Sequence, residues 1–387
     1  MEIKGERKGD NGFLREHNRT LVVNILRRSG PLSRAELSRR TGLAPSALSR
    51  LSAELLDLGI LQEVGKAEVP VGRPPILLGL TPDYAHSIGV KVEKGRVLAA
   101  RIDLFGRVRQ SISFPFPDPA PQTVLGAIKE AFLGLRTERT MGLGIAVSGF
   151  VDSMAGECLF SPILGWRDVP LKAFLEGELG VEVHVENDVN ALTLAEARYG
   201  AGRGLSDFAC VTVGEGLGAG IVIGGKLYRG AFGGAGEFGH TLFQAQGPRC
   251  RCGERGCLEL FASDQFLLRH ARERGFSGIE ELSSRAKEGD AIALGIYREL
   301  GVNLGLGLKD LVNLLNPQAI LIGGERTQAD GDLFLPVAEE VVRRHAFVGA
   351  GRRVRLLRTA LGEEGFLVGA AAVFVERFFR RPLEVRR

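Results

Sequence analysis

Apolar residues recur at helical spacing from Asn18 to Leu61 and do not alternate there as a strand requires. In NRTLVVNILRRSG, Leu21, Val22, Ile25 and Leu26 fall on one face, and Gly30-Pro31 ends the run as a helix-stop signal. LSRAELSRRTGLAPSALSRLSAELLDLGIL then reads as two short helices around a glycine turn at Gly42. Ser33, with Glu36 three residues on, predicts a capping box. Leu48, Leu51, Leu55 and Leu58 give the second helix a buried stripe, which turns Ser46, Ser49, Arg50 and Ala53 outward. Small and polar side chains near the start of an exposed helix suit contact with base edges, so the segment predicts a helix-turn-helix. ILQEVGKAEVPVGRPPILLGL adds two apolar runs about a Gly/Pro/Lys/Arg loop, the pattern of a wing. Arg34, Ser46, Ala47, Ser49, Arg50 and, near the wing, Arg73 are the candidate DNA contacts. A small helical dimerisation bundle is the other reading of the same pattern.

The Pro and Gly of VGRPP mark a boundary near residue 75, beyond which the period changes. SIGVKVEKGRVLAARIDLFGRV predicts a β-hairpin and TVLGAIKEAFLGL an amphipathic helix. Strand-like GLGIAVSG, VEVHVEND, FACVTVGEG, GAGIVIGG and AILIGG then alternate with helical NALTLAEARYG and LGIYRELGVNLGLGLKDLVNLLN. This is an α/β chain with glycine-rich turns at strand ends, where ligands usually bind, and its length suits two lobes of similar plan.

Charge divides the chain in the same place. Of 50 Lys+Arg and 46 Asp+Glu, residues 1–75 hold 13 and 9, leaving 37 of each sign behind them. A basic head on a neutral body suits binding to a polyanion, although a solvated face gives the same small excess. No run of about eighteen apolar residues occurs, and MEIKGERKGDNGF is charged where a signal peptide is apolar. These features predict a cytoplasmic protein with no membrane partner.

Four stretches carry candidate chemistry. VENDVNALTLAEARYG ends a strand and opens a helix at Asn187 or Asp188, placing a carboxylate at a strand's carboxyl end; Asp188 there suits a hydroxyl ligand, a helix cap, or both. VTVGEGLGAGIVIGGKLYRGAFGGAG is a strand, glycine turn and strand, which suits a phosphate cradle or a plain hairpin. His240, Cys250, Cys252 and Cys257 form a complete tetrahedral donor set, the closed arrangement of a structural zinc site. Disulfides fit poorly, because Cys250 and Cys252 are too close to pair easily; Cys158 and Cys210 read as ordinary buried thiols. Glu237, His240 and Glu259 bracket the metal loop and are placed to take hydroxyls of a polar ligand.

Together GIAVSGFVD, SPILGWRDVPL, ENDVNALTLAEARYG, GAGIVIGGKLYRGAFGGAGEFGHT and CRCGERGCLE, preceded by the winged helix, resemble the ROK family of repressors, open reading frames and kinases, and its xylose-repressor branch in particular. The resemblance implies an N-terminal winged helix-turn-helix in residues 1–75 followed by a two-lobed actin-like ATPase fold. The first α/β lobe then spans 76–190, completed by a C-terminal helix at 363–380, and the second spans 191–362 with the zinc loop. It further implies sugar bound between the lobes by Gly149, Asn187, Asp188, Glu237, His240 and Glu259. His240 would hold zinc with one ring nitrogen and face the sugar with the other. In the family's kinases the residue matching Asp188 is the base that deprotonates the attacking hydroxyl.

The chain departs from the kinase pattern at both phosphate loops. Kinases carry D-x-G-G-T where this chain has Lys91, Glu93, Lys94 and Gly95, and Glu215 stands where kinases have the threonine of G-T-G. A carboxylate a few ångströms from a phosphate costs about 1 to 4 kcal/mol of repulsion. Ile163 stands where relatives commonly have asparagine near the sugar, which points to a smaller, modified or different ligand. The expectation is therefore a non-enzymatic, sugar-responsive repressor, a homodimer or homotetramer on operator DNA, with a monosaccharide effector and structural zinc. A sugar kinase with an appended DNA-binding domain is the alternative.

Overall fold

A computed structural model describes residues 11–68 and 73–381. The head opens with α1 (Asn11–Ser29), β1 (Leu32–Ser33), α2 (Arg34–Thr41) and α3 (Pro45–Asp57), and closes with β2 (Leu61–Lys66) and β3 (Ile76–Leu80). Ser33 Oγ accepts the Glu36 N–H at 3.2 Å, but the Glu36 carboxylate turns to Arg39 and Arg40, so only half of the capping box forms. Gly42 turns the chain with φ 72°, a conformation that other residues adopt reluctantly. Leu48, Leu51 and Leu55 are buried and Leu58 half-buried, while Ser46, Ser49, Arg50 and Ala53 are exposed, as the pattern predicts. On α1 the buried residues are Val22, Val23 and Leu26; Leu21 and Ile25 lie half-buried at the flanks.

The division expected at residue 75 runs through a hairpin. β3 pairs antiparallel with β2, Leu80 opposite Leu61, and with β1, Leu78 opposite Leu32, and Leu78 and Leu80 enter the head's core. β2 and β3 therefore pair with each other and are not parts of separate domains; residues 69–72 lie outside the described residues, and Arg73 is exposed.

The body contains two five-stranded sheets. In the first, β4 (His86–Glu93), β5 (Arg96–Ile102) and β6 (Val108–Pro115) form an antiparallel meander. α4 (Pro121–Leu135) leads to β7 (Thr140–Val147), parallel to β4. A small sheet of β8 (Phe150–Asp152), β9 (Glu157–Ser161) and β10 (Trp166–Val169) and then α5 (Leu171–Leu179) lead to β11 (Val183–Asn187), parallel to β7. α6 (Asp188–Tyr199) crosses to the second sheet, where β12 (Phe208–Val213), β13 (Leu217–Ile223) and β14 (Lys226–Tyr228) again form a meander. After α7 (Asp264–Glu273), α8 (Ile279–Lys287) and α9 (Ala291–Leu315), β15 (Ala319–Gly323) lies parallel to β12. α10 (Glu325–His345) then leads to β16 (Arg355–Arg358), parallel to β15, and α11 (Glu364–Arg380) ends the fold.

The orders β11-β7-β4-β5-β6 and β16-β15-β12-β13-β14 are one topology used twice, fifth, fourth, first, second and third strand of each set. No repeat in the sequence announces it, because each sheet fills its own core with different residues: Val90, Ile145, Phe132 and Trp166 in one, Val211, Ile320, Phe266 and Tyr297 in the other. The boundary expected at 190 falls inside α6, which belongs to neither sheet alone.

α11 packs on β4 and β7 with its backbone close against their glycines. A Cβ at Gly89 would stand 2.0 Å from the Leu367 carbonyl oxygen, and one at Gly144 would stand 1.9 Å from that of Ala370. Its far end leaves the body: Val375, Phe378 and Phe379 are buried in the head among Val22, Val23, Leu26 and Leu55. Among the described residues, no helix is long and apolar enough to cross a membrane.

Candidate functional site in the inter-lobe cleft

A cleft of about 770 Å³ opens between the two sheets, lined at its centre by the β11–α6 junction. Asn187 caps α6, its Oδ1 accepting the Asn190 N–H at 3.0 Å, and its Nδ2 donates to the Gly149 carbonyl at 3.0 Å. The cap is thus Asn187, which leaves Asp188 as the first helical residue with its carboxylate on the cleft. Burial pushes the Asp188 carboxyl up from the aspartate range, against the opposing pull of Lys91 and the Val189 N–H. Gly149 is held at φ 122°, and a Cβ there would stand 2.2 Å from the Phe160 carbonyl oxygen, so only glycine lets β8 approach β9 this closely.

Glu237, His240 and Glu259 line the same cleft from the second lobe. Burial raises the Glu237 carboxyl, with His240 opposing and the Asp188 and Glu259 charges adding to the rise. Glu259 is buried and partly committed: Oε2 accepts from the Leu217 N–H at 3.2 Å and Oε1 from Gln265 Nε2 at 2.8 Å. The six candidate ligand residues are therefore brought together, four with open acceptors and two, Asn187 and Gly149, chiefly shaping the junction.

The donor atoms of His240, Cys250, Cys252 and Cys257 all lie within 4.8 Å of one another, a spacing that a single metal ion fits. His240 Nδ1 is 3.7 Å from Cys250 Sγ, and Cys252 and Cys257 Sγ are 3.6 Å apart. The other ring nitrogen, Nε2, points to Glu237 Oε2 at 4.0 Å. All five cysteines are free thiols; Cys158 and Cys210 are buried, and burial pushes both up to about 12.

The two hairpin turns that hold equivalent places in the two sheets face the other half of the cleft, and both are ion-paired. In the first, Lys91 Nζ lies 2.8 Å from Glu93 Oε1, and Arg96 Nε lies 2.7 Å from Glu93 Oε2. In the second, Arg251 of the metal loop donates to the Glu215 carboxylate at 3.1 Å and to its carbonyl at 3.2 Å. Glu325 stands between them at the start of α10, its carboxyl raised by burial, with Lys91 opposing and Glu93 and Glu363 reinforcing.

One cluster beside the junction, Glu186, Arg229 and Ser153, carried no sequence signal. Buried Glu186 receives Arg229 Nε at 3.0 Å and Nη2 at 2.5 Å, and also Ser153 Oγ at 2.9 Å, pinning the loop after β14 to the end of β11. In the head, Arg34 is half-buried and donates from Nε to Ser52 Oγ at 3.2 Å, which ties α2 to α3. Ala47 is half-buried next to the exposed Ser46, Ser49 and Arg50.

Two lobes of one topology, facing a carboxylate at a strand–helix junction with a cluster of one histidine and three cysteines at the rim that could hold a metal, define a sugar-kinase-like α/β protein. The chain belongs to the ROK family, whose model matches residues 88–377. It is 29% identical over 377 residues to the xylose repressor of Bacillus spizizenii, covering 95% of this chain and 97% of that one. It is 35% identical over 306 residues to the glucokinase of Streptomyces coelicolor, covering 74% of this chain and 96% of the kinase. A solved ROK family transcriptional regulator, described as a homologue of E. coli MLC, superposes with TM-score 0.77 at 27% identity over 96% of this chain and 98% of its own.

Proposed function

We propose that the protein is a sugar-responsive transcriptional repressor whose body has lost phosphoryl transfer. The observation that carries this reading is the head. It precedes the family match at residue 88, is included in the 95% coverage by a repressor, and presents Ser46, Ser49 and Arg50 on an exposed helix. In this reading residues up to Leu80 are a winged helix-turn-helix, α3 enters the major groove, and Arg73 beside the wing meets phosphate or minor groove. A homodimer or homotetramer presents two heads to a pseudo-palindromic operator in the cytoplasm.

The effector is a monosaccharide in the cleft, held by Asp188, Glu237, His240 and Glu259 around the junction shaped by Gly149 and Asn187. His240, Cys250, Cys252 and Cys257 hold zinc, which supplies a rigid clip and no open coordination position. His240 then carries its orientation from the metal to the sugar side of the ring. Phosphoryl transfer depends on positioning and charge neutralisation. The phosphate half of the cleft instead holds Glu93, Glu215 and Glu325, and three of its cations, Lys91, Arg96 and Arg251, are already paired.

A change in DNA affinity of ~100-fold requires the sugar to favour one state by about 3 kcal/mol, within reach of several hydroxyl hydrogen bonds. The test is a gel-shift titration of the zinc-loaded protein under reducing conditions; no response to any common monosaccharide sinks the reading. The kinase alternative draws on Asp188, placed on the cleft with a raised pKa, and on the glucokinase match. ATP-dependent phosphorylation abolished by Asp188→Asn would establish it.

A further inference from the structure

α6 joins the cleft to the head. Its start carries Asp188 and its end Arg198 and Tyr199. On one side it rests on the second sheet, where β13 has glycines: a Cβ at Gly218 would stand 2.7 Å from the Val189 side chain and one at Gly220 2.0 Å from that of Thr193. On the other side it touches α11 backbone to backbone, a Cβ at Gly369 falling 1.7 Å from the Ala191 carbonyl oxygen. α11 runs from Phe366 on the cleft to Phe378 and Phe379 in the head. With α6 packed this closely on both β13 and α11, a shift of the second lobe against the first is passed through α6 to α11.

Where α1, α6 and α11 meet, one carboxylate oxygen serves two arginines. Arg27 Nη2 of α1 lies 3.0 Å from Glu376 Oε1 of α11, and Arg198 Nη1 of α6 pairs with the same Oε1. All three side chains are largely covered, at 16%, 28% and 32% exposure for Arg27, Arg198 and Glu376. Arg27 also stacks 3.8 Å over the Phe379 ring, and Asn24 Nδ2 of α1 donates to the Phe379 carbonyl at 2.7 Å. Two like charges on one oxygen repel, so each bond is held at the other's expense. Moving α6 so that Arg198 leaves Glu376 tightens the hold on Arg27, and the reverse movement loosens it.

We propose that Glu376 is the positioning residue through which the state of the cleft sets the orientation of the head, by exchange of its Oε1 between Arg198 of α6 and Arg27 of α1. The proposal rests on the reading of the protein as a sugar-responsive DNA-binding regulator. Its two sites are the cleft and the head, and the shared carboxylate is the element that both bias.

The test uses the full-length, zinc-loaded protein, a duplex selected by that protein from random-sequence DNA, and D-glucose, D-xylose and N-acetyl-D-glucosamine as effectors. If the wild type selects no duplex, or its duplex affinity ignores all three sugars, the regulator reading fails and this one with it. Where the wild type responds, Glu376→Gln is expected to keep both sugar affinity and sugar-free duplex affinity within about two-fold while the sugar-dependent change shrinks about ten-fold or more. A response equal to wild type overturns the proposal. A merely structural role predicts a different split: both affinities fall together with the melting temperature, and that result also overturns it. Should Glu376→Gln fail to fold, Arg198→Gln carries the same test, since it leaves the Arg27–Glu376 pair in place; an unchanged response in that variant is again fatal.

Discussion

Lys91 and Glu93 close on each other at the end of β4, Nζ to Oε1 at 2.8 Å, with Lys91 also 4.1 Å above the centre of the Phe366 ring. The cation is thereby consumed inside the protein, and its partner is one of the carboxylates that an incoming triphosphate would meet. ATP with magnesium is expected to yield no sugar phosphate in a coupled assay and to leave the melting temperature within about 1 °C. Lys91→Ala should destabilise by about 1 kcal/mol in denaturant titration, because Glu93 loses one of its two cationic partners and keeps Arg96.

Removing the metal should separate sensing from DNA binding. Cys252→Ser is expected to lower bound zinc well below one per chain by elemental analysis and to weaken sugar affinity about ten-fold or more, since the loop that orients His240 and Glu259 loosens. Duplex affinity without sugar should stay within about two-fold, because the head's core contains no residue of that loop.

Asp188→Asn tests the central acceptor. Loss of a charged hydrogen-bond partner should cost sugar about 10- to 100-fold in affinity by calorimetry. The same change should raise the melting temperature of the sugar-free protein at pH 7. The carboxyl is raised in the folded state, so its ionised form costs stability above that raised value, and the cost vanishes as pH falls through it. The gap between variant and wild type should therefore close on acidification.

Asp330 carries the opposite sign. It is fully buried, and despite burial its carboxyl is held down to about 2 by Ser283, Tyr297, Lys287 and Arg326. The stabilisation, about 2 kcal/mol from the size of that depression, is present above the ordinary aspartate range and lost as pH falls toward 2. Asp330→Asn should destabilise by about 3 kcal/mol at pH 7, because Lys287 loses its carboxylate and Arg326 is left with Asp264 alone. It should also flatten the acid limb of a pH–stability curve.

In the head, Arg50→Ala should cost about 1 to 3 kcal/mol on the selected duplex and relax preference at one base position, whereas Arg73→Ala should weaken all sequences evenly and lower the salt slope by about one. Competition gel shifts at several salt concentrations separate the two.

Local structure was readable where it depends on near neighbours. The leucine stripe of α3, the Ser33 cap, the turn at Gly42 and the Cys/His spacing all follow from residues a few positions apart, and all form. What escaped prediction depends on distant partners. Glu186 meets Arg229 across 43 positions and Arg27 meets Glu376 across 349, and neither pair leaves a period in the chain. The misplaced boundary at 75 has a local cause, since the same Gly/Pro run serves a linker or a hairpin turn and only the pairing of β3 decides between them. Two lobes of similar plan were expected, but their shared strand order was not legible, because pairing order is a backbone property and two cores can satisfy it with unrelated side chains.

The burial of Val375, Phe378 and Phe379 in the head also has a consequence for biosynthesis. α1, α2 and α3 leave the ribosome long before α11, so the head's apolar core lacks three side chains until that helix has emerged. A chain terminated before α11 therefore presents an incomplete head.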